Sequence, residues 1–145
     1  MAGAVSAGAY TAGVIDYLIE ALDEWEKRKK SGEKNVPQHQ VEIPVIGGAS
    51  AGGITGILLA SKMNNPIQPL QKLSGNLNDL QPTNPFFNLW VDLTGDDMLA
   101  RLLQTDDLDD GKVKSLINSQ FIEEKALEAL HADAQNWLQR SYLPD

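Results

Sequence analysis

Ser50 is the residue of this sequence best placed to do chemistry, because it is the one hydroxyl in a run of very small residues. Four apolar residues, 43–46, lead directly into the run GGASAGG at 47–53. Residues 48–52 match the G-x-S-x-G pattern, in which a serine lies on a strained turn between a strand and a helix and exposes its Oγ as a nucleophile. The residues two positions away must be small, or their side chains would collide with the strand and the helix. We therefore predict Ser50 as a catalytic nucleophile, on a turn formed by Gly48, Ala49, Ala51 and Gly52.

The pattern alone is weak evidence, since it arises by chance in roughly one chain in twenty of this length. Its context strengthens it: a β-branched run precedes it, a helical pattern follows it, and Gly47 and Gly53 extend the run of small residues. A structural alternative stays open, in which the turn is merely close-packed and Ser50 caps the helix.

A second segment of small residues, 3–13, precedes a helical pattern. It is not a P-loop, since Gly8 is followed by Ala9 and Tyr10 rather than by Lys and Ser or Thr. It is not a dinucleotide fingerprint either, since Val5 stands where the second glycine is needed. Two interpretations remain: a loop whose backbone amides receive an anion, or close packing of a helix against a sheet.

Together the two segments resemble the patatin-like phospholipases. The stretch GAYTAGVIDYLIEAL from Gly8 is similar to the first helix of that family, and GASAG is similar to its serine turn. The resemblance extends over most of the chain and is specific across residues 1–60. It implies a lipid acyl hydrolase that uses a Ser–Asp dyad and no cofactor, with the amides of Gly3, Ala4 and Val5 as the oxyanion hole.

The sequence departs from the family pattern in this opening loop. The family has three glycines where this chain has Gly3, Ala4 and Val5, and Lys or Arg where it has Ala7. Valine strongly resists a positive φ, so the oxyanion hole depends on whether these residues can adopt the required backbone conformation.

No base for Ser50 is evident in the sequence. The family's aspartate lies in a D-G-(G/A) motif, whereas the one Asp-Gly pair here, Asp110-Gly111, is followed by Lys112 inside an acidic stretch. We interpret that pair as a solvated turn, not as the base, and the spacing from Asp106 does not fit a calcium loop. His39 precedes the serine and His131 falls in a predicted helix, so neither suggests a triad. We expect the catalytic aspartate to lie beyond residue 145, and a first strand to be missing, so that this chain alone hydrolyses esters weakly.

The elements around Ser50 predict an α/β fold. Residues 10–25 form an amphipathic helix whose predicted buried face is Tyr10, Val14, Tyr17, Leu18, Ala21, Leu22 and Trp25. Residues 41–46 are predicted as a buried strand, and 50–62 as a helix with Ile54, Ile57 and Leu58 on one side. This order indicates a three-layer α/β/α sandwich with a mainly parallel sheet, incomplete in this chain.

Later residues give weaker signals. Residues 64–85 are expected to be irregular, and the apolar segment 86–91 to seat an acyl chain or to pack in the core. Residues 98–103 predict a short helix. Asn118 or Ser119 is predicted to cap a last helix, and the predicted apolar stripe of that helix is Ile122, Ala126, Leu130, Ala134, Trp137 and Leu138.

Length and composition limit the class of protein. The 145 residues predict one partial acyl hydrolase domain, with the glycine loop, first helix and serine turn in 1–62 and a mostly helical and irregular remainder in 63–145. A net charge of −8 argues against nucleic-acid binding, and the absence of cysteine excludes disulfides and thiolate chemistry. We expect a cytoplasmic protein without a metal, acting on lipid or other acyl esters, with transient membrane-surface contact left open. The alternative is a patatin-fold binding or scaffolding module that has lost catalysis.

Overall fold

The computed structural model describes residues 5–68, 70, 84–94, 97–105, 108, 117–118, 120–131 and 136–144. Its helices are α1 (Val5–Lys30), α2 (Ala51–Lys62), α3 (Pro85–Leu93), α4 (Met98–Leu102) and α5 (Gln120–Leu130). The first three helices contact one another, and α5 contacts α2 and α3. The core lies between them and is built mainly of aliphatic and aromatic side chains: Ala12, Ile19, Leu22, Leu58, Leu59, Met63, Phe86, Leu89, Trp90 and Tyr142.

Helix α1 is longer than predicted, and only part of its predicted buried face is buried. It begins at Val5, five residues before the predicted start at residue 10, so residues 5–9 are also helical. Leu22 is buried and Trp25 packs against the core, as predicted. Tyr10, predicted to be buried, is 76% exposed. The prediction fails in the N-terminal half of α1 because that half buries its small residues Gly8 and Ala12 instead.

The end of α1 is fixed by a Schellman arrangement. Gly32 has φ 70°, a conformation that glycine adopts without strain. The amide of Gly32 donates to the Lys29 carbonyl at 3.1 Å, and the amide of Glu33 donates to the Arg28 carbonyl at 3.3 Å. The basic residues of the last turn, Lys27, Arg28, Lys29 and Lys30, lie at the negative end of the helix dipole.

Helix α2 is confirmed where the sequence predicted it, directly after Ser50. Its predicted apolar side is confirmed at Leu58, which is buried together with Thr55, Gly56 and Leu59, but not at Ile54 and Ile57, which are 43% and 61% exposed. Small residues again mark the contact side of the helix, since they allow a close approach of the neighbouring backbone.

The strand predicted at 41–46 is not observed, and the described residues include no strand. Ile43 donates its amide to the carbonyl of Tyr142 at 2.8 Å, while Val45 is 81% exposed. A β-branched run becomes a strand only where a neighbouring strand pairs with it, and no described segment does so here. The predicted sheet is therefore not confirmed.

The later helices agree in part with the sequence. Asn84 caps α3, its side chain accepting from the amide of Phe87 at 3.0 Å, and α4 lies where a short helix was predicted. Asn118 accepts from the amide of Gln120 at 2.9 Å before α5. The predicted apolar stripe of α5 is not buried: Ile122 and Leu130 are exposed, and Phe121 is the buried residue of this helix. Trp137 and Leu138 lie outside any helix and are 69% and 43% exposed, and Ala134 lies outside the described residues.

Candidate active site

Ser50 lies on a strained backbone immediately before α2. Its φ is 51° and its ψ is −125°, and a positive φ in a residue other than glycine costs about 1–3 kcal/mol. Ser50 is exposed, and its side chain makes no capping hydrogen bond to α2. The capping alternative is therefore wrong: this conformation presents the hydroxyl without using it to stabilise the helix.

Backbone hydrogen bonds close the turn around Ser50. The amide of Gly52 donates to the carbonyl of Ala49 at 2.9 Å, and the amides of Gly53 and Ile54 donate to the carbonyl of Ser50 at 2.8 and 3.1 Å. Ala51, the first residue of α2, is buried, whereas Ala49 is exposed. These bonds hold the strained residue in place from its C-terminal side.

The surroundings of Gly48 explain why the first position of the G-x-S-x-G pattern is a glycine. A Cβ at this position would lie 2.8 Å from the amide nitrogen of Gly53 and closer still to the carbonyl group of Gly52. All of these are backbone atoms, so they cannot move aside as a side chain can. The turn can close in this way because Gly48 carries no side chain that would meet the backbone of Gly52 and Gly53.

A buried tryptophan joins this turn to α1. The hydroxyl of Thr55 donates to the Ala51 carbonyl at 3.0 Å, and the indole Nε1 of Trp90 donates to the Thr55 hydroxyl at 3.3 Å. The Trp90 ring packs directly on Gly8, where a Cβ would come within 2.6 Å of ring atom Cζ3 and nearer to two others. Of the two interpretations of the segment 3–13, an anion-receiving loop and close packing of a helix, Gly8 fits close packing, although against the ring of Trp90 on α3 rather than against a sheet.

The predicted oxyanion residues are only partly described. Gly3 and Ala4 lie outside the described residues, and Val5 is the first residue of α1. Val5 was predicted in a loop, so its placement in a helix is a correction. The alanine-rich composition of the segment favours that helix, since alanine is the strongest helix former.

A sequence model described as patatin-like phospholipase matches residues 1–141. The chain belongs to the patatin-like phospholipase family. An uncharacterized protein of Sinorhizobium fredii, y4iI, is 37% identical over 139 residues, which cover 91% of this chain and 20% of that protein. This chain thus spans about one fifth of the length of the relative it matches. No solved structure matches it.

Membership of the family supports the recognised resemblance and the assignment to lipid acyl hydrolases at the family level. The family also implies an α/β fold, although the described part of this chain is helical. None of the described helices is long and apolar enough to cross a membrane. The described residues also contain no group of three or more residues suited to hold a metal ion.

Two aspartates of α1, Asp16 and Asp23, are engaged in contacts within the fold. Asp110 lies outside the described residues. Asp16 is buried and accepts from the Asn84 side chain at 2.9 Å, while Asp23 is bound by Arg140 and Tyr142. Burial raises the pKa of Asp16, despite the hydrogen bond from Asn84. These two carboxylates hold the fold together.

The histidines are engaged in other contacts. The ring of His39 lies 4.7 Å from that of Trp25, and its backbone carbonyl accepts from Lys29 at 3.1 Å. His131 follows the end of α5 rather than lying inside the helix as predicted, and its carbonyl accepts from Lys62. No described contact brings either ring to Ser50.

A buried arginine, which sequence reasoning missed, ties the C-terminal segment to two helices. The Arg140 guanidinium donates to the Asp23 carboxylate at 2.9–3.1 Å, to the Asn65 carbonyl at 3.0 Å and to the Met63 carbonyl. The Tyr142 hydroxyl donates to Asp23 at 2.8 Å, and burial raises the pKa of this phenol. Since Tyr142 also accepts from the amide of Ile43, the cluster anchors the segment that leads to the serine turn.

Proposed function

We propose that this chain carries the nucleophile of a serine acyl hydrolase that cleaves carboxylic ester bonds of lipids. The observation that supports it best is the positive φ of Ser50, on an exposed residue that does not cap the helix it precedes. Strain of this kind persists only when its surroundings impose it, and it is concentrated at functional sites. Here the glycine contact and the backbone bonds of the turn impose it.

In the proposed reaction the Oγ of Ser50 attacks the ester carbonyl and an aspartate accepts its proton. The carbonyl oxygen becomes an oxyanion, and collapse of the tetrahedral intermediate releases the alcohol, which takes the proton back. Water then attacks the acyl-serine and releases the fatty acid. The amides of Gly3, Ala4 and Val5, with the positive end of the α2 dipole, are the proposed donors to the oxyanion.

The proposal assigns the base to none of the described residues. Asp16 and Asp23 are committed to structural contacts, so we propose an aspartate beyond residue 145. In the relative y4iI the matched region makes up 20% of the protein, which is compatible with a base supplied by a later segment. The activity of the whole protein, a cytoplasmic location, a membrane-surface encounter and the single partial domain at 1–145 are likewise proposals.

Covalent labelling tests the nucleophile without needing turnover. An alkyl fluorophosphonate forms one stable bond with an activated serine, so even a slow reaction accumulates adduct, whereas ester hydrolysis needs the base in every cycle. We expect intact-mass analysis to show one adduct, and peptide mapping to place it on Ser50. Ser50→Ala should abolish it, and the matched variant Ser61→Ala, a serine of α2 whose hydroxyl donates to a backbone carbonyl at 2.9 Å, should retain it.

The rival function predicts a different result. If the chain is a patatin-fold binding or scaffolding module, no serine is activated and the probe leaves the mass unchanged. Labelling that survives Ser50→Ala would equally overturn the proposal, since it would place the reactive group elsewhere.

A further inference from the structure

A cavity of about 210 Å³ lies between α1 and α3. Its α1 side is formed by Ala9, Ala12, Gly13 and Asp16, which recur at the spacing of one helix face. Its α3 side is formed by Phe86, Phe87, Trp90, Val91 and Thr94. The lining is thus apolar along its length, with a buried carboxylate at one end.

The cavity begins close to the proposed catalytic elements. Its wall includes Trp90, which is joined through Thr55 to Ala51, the residue after Ser50. Thr55 is one helical turn, about 6 Å, from Ala51. On the other side the cavity begins at Ala9, four residues after the start of α1. The end of the cavity near Ala9 therefore lies toward the serine turn and the opening segment, and the end near Asp16 lies away from them.

The length, volume and lining of the cavity indicate what kind of molecule it can bind. From Ala9 to Asp16 is seven residues, a rise of about 10 Å, which matches an extended chain of about eight carbons. A cavity of about 150 Å³ is enough for benzene, so 210 Å³ suits a short aliphatic chain. The Asp16 carboxylate at the far end disfavours both a longer apolar chain and a second anion.

We propose that this cavity binds the distal part of the aliphatic chain of the ester substrate, an uncharged segment of about eight carbons, with the carbonyl end of the chain toward Ser50. The proposal rests on the hydrolase function proposed above and adds the length of the bound segment and the place where it lies. Of the two expectations for residues 86–91, core packing and acyl seating, the structure supports both: Phe86 and Trp90 are buried in the core and also line the cavity.

Binding of 1-octanol to the 145-residue chain tests the proposal without any turnover. In ¹H–¹⁵N spectra the indole resonance of Trp90 should shift with octanol. Hexanol should bind more weakly, because each buried methylene contributes about fourfold to affinity, and dodecanol should gain nothing over octanol.

Two leucine substitutions on α1 give a matched comparison. Gly13 lines the cavity, and a Cβ added there meets no heavy atom within 4 Å, so Gly13→Leu should fold and reduce the space. Ala21→Leu adds the same side chain at an exposed position of α1 away from the cavity. We expect octanol affinity to fall by about tenfold or more in Gly13→Leu, the effect of losing two buried methylenes, and to stay unchanged in Ala21→Leu.

Fluorophosphonate labelling of the same samples separates this inference from the hydrolase proposal. No Trp90 shift, or equal weakening by both leucine variants, would overturn the cavity assignment even if Ser50 is labelled. If octanol binding depends on Gly13 but Ser50 is not labelled, the cavity binds aliphatic chains and the hydrolase proposal is overturned. The cavity would then not be a substrate site of a hydrolase.

Discussion

Gly48→Ala should disable the serine turn, because the structure leaves no space for a side chain there. The added Cβ would lie 2.8 Å from the Gly53 nitrogen, whereas ordinary contact begins at 3.4 Å, so at least 0.6 Å of displacement is required, and more for the closer atoms of Gly52. Those atoms belong to the backbone that holds Ser50 at its positive φ. The displacement must therefore move the residue whose position matters.

The size of the effect follows from this collision. Forcing an additional methyl group into packed structure costs about 1–3 kcal/mol, and a clash with backbone belongs at the upper end, about 3 kcal/mol. For a chain of this size that lowers the melting temperature by about 6–12 °C. A displacement approaching 1 Å at the nucleophile should slow labelling of Ser50 by about a hundredfold.

Gly53→Ala is the matched control, five residues away in the same motif. Its added Cβ comes no closer than 3.4 Å, to the carbonyl oxygen of Gly48, and alanine is favoured over glycine in a helix by about 1 kcal/mol. We expect unchanged or raised stability and retained labelling. Thermal unfolding followed by circular dichroism, with fluorophosphonate labelling rates, measures both. If Gly48→Ala melts and reacts like the unmodified chain, or if both variants are equally damaged, the turn is not held as described.

Three further predictions address the contacts around the site. Gly8→Ala should lower the unfolding free energy by about 2–3 kcal/mol, because its methyl group meets the buried indole ring of Trp90. Gly13→Ala, with open space at its Cβ, should raise the unfolding free energy by about 1 kcal/mol. Urea denaturation measures both, and equal effects would refute the contact between Gly8 and Trp90. Arg140→Met should cost about 2–3 kcal/mol in the same assay, since it removes buried charged hydrogen bonds. Lys27→Met, which breaks an exposed ion pair with Glu24, should leave stability nearly unchanged, and a comparable loss in both variants would contradict the buried role of Arg140. Burial raises the pKa of Asp16 above its ordinary value of 3.8, so the folded state holds this proton more tightly than the unfolded state does. The stability contributed by Asp16 should therefore fall as pH rises above 3.8. The difference in unfolding free energy between the unmodified chain and Asp16→Asn should show this fall, and a difference that rises with pH would contradict the raised pKa.

The serine turn could be predicted from sequence because its requirements are local. The positive φ at Ser50 and the need for glycine at position 48 depend on residues no more than five positions away. Such local requirements are visible in the motif itself. The helix after the turn could be predicted for the same reason. The oxyanion donors Gly3 and Ala4 and the aspartate stay predictions.

Faces and long-range partners could not be predicted so well. Tyr10 and Ile57 occupy apolar positions but are exposed. The buried sides of α1 and α2 combine large aliphatic residues with glycine, alanine and threonine, and a hydrophobic pattern underweights the small residues. The contact of Gly8 with Trp90 joins residues 82 positions apart. Arg140 reads as an ordinary surface residue, and only its distant partner Asp23 explains its burial.

The strand predicted at 41–46 was wrong because it, too, depended on a partner distant in sequence. A β-branched run such as 41–46 has the composition of a strand, but pairing depends on a neighbour that the sequence of the run does not contain. In the structure its described partner is the backbone of Tyr142, through a single bond from Ile43. The family implies a sheet, yet local pattern alone could not establish which segments pair.

The most direct test of the account is a crystal structure of the chain after reaction with an alkyl fluorophosphonate. The account predicts a phosphorus atom bonded to the Oγ of Ser50, a retained positive φ at that residue, and a phosphoryl oxygen about 3 Å from backbone amides of residues 3–5. A Ser50 side chain that points inward, or a phosphoryl oxygen more than about 8 Å from those amides, beyond even a water-bridged contact, would contradict it.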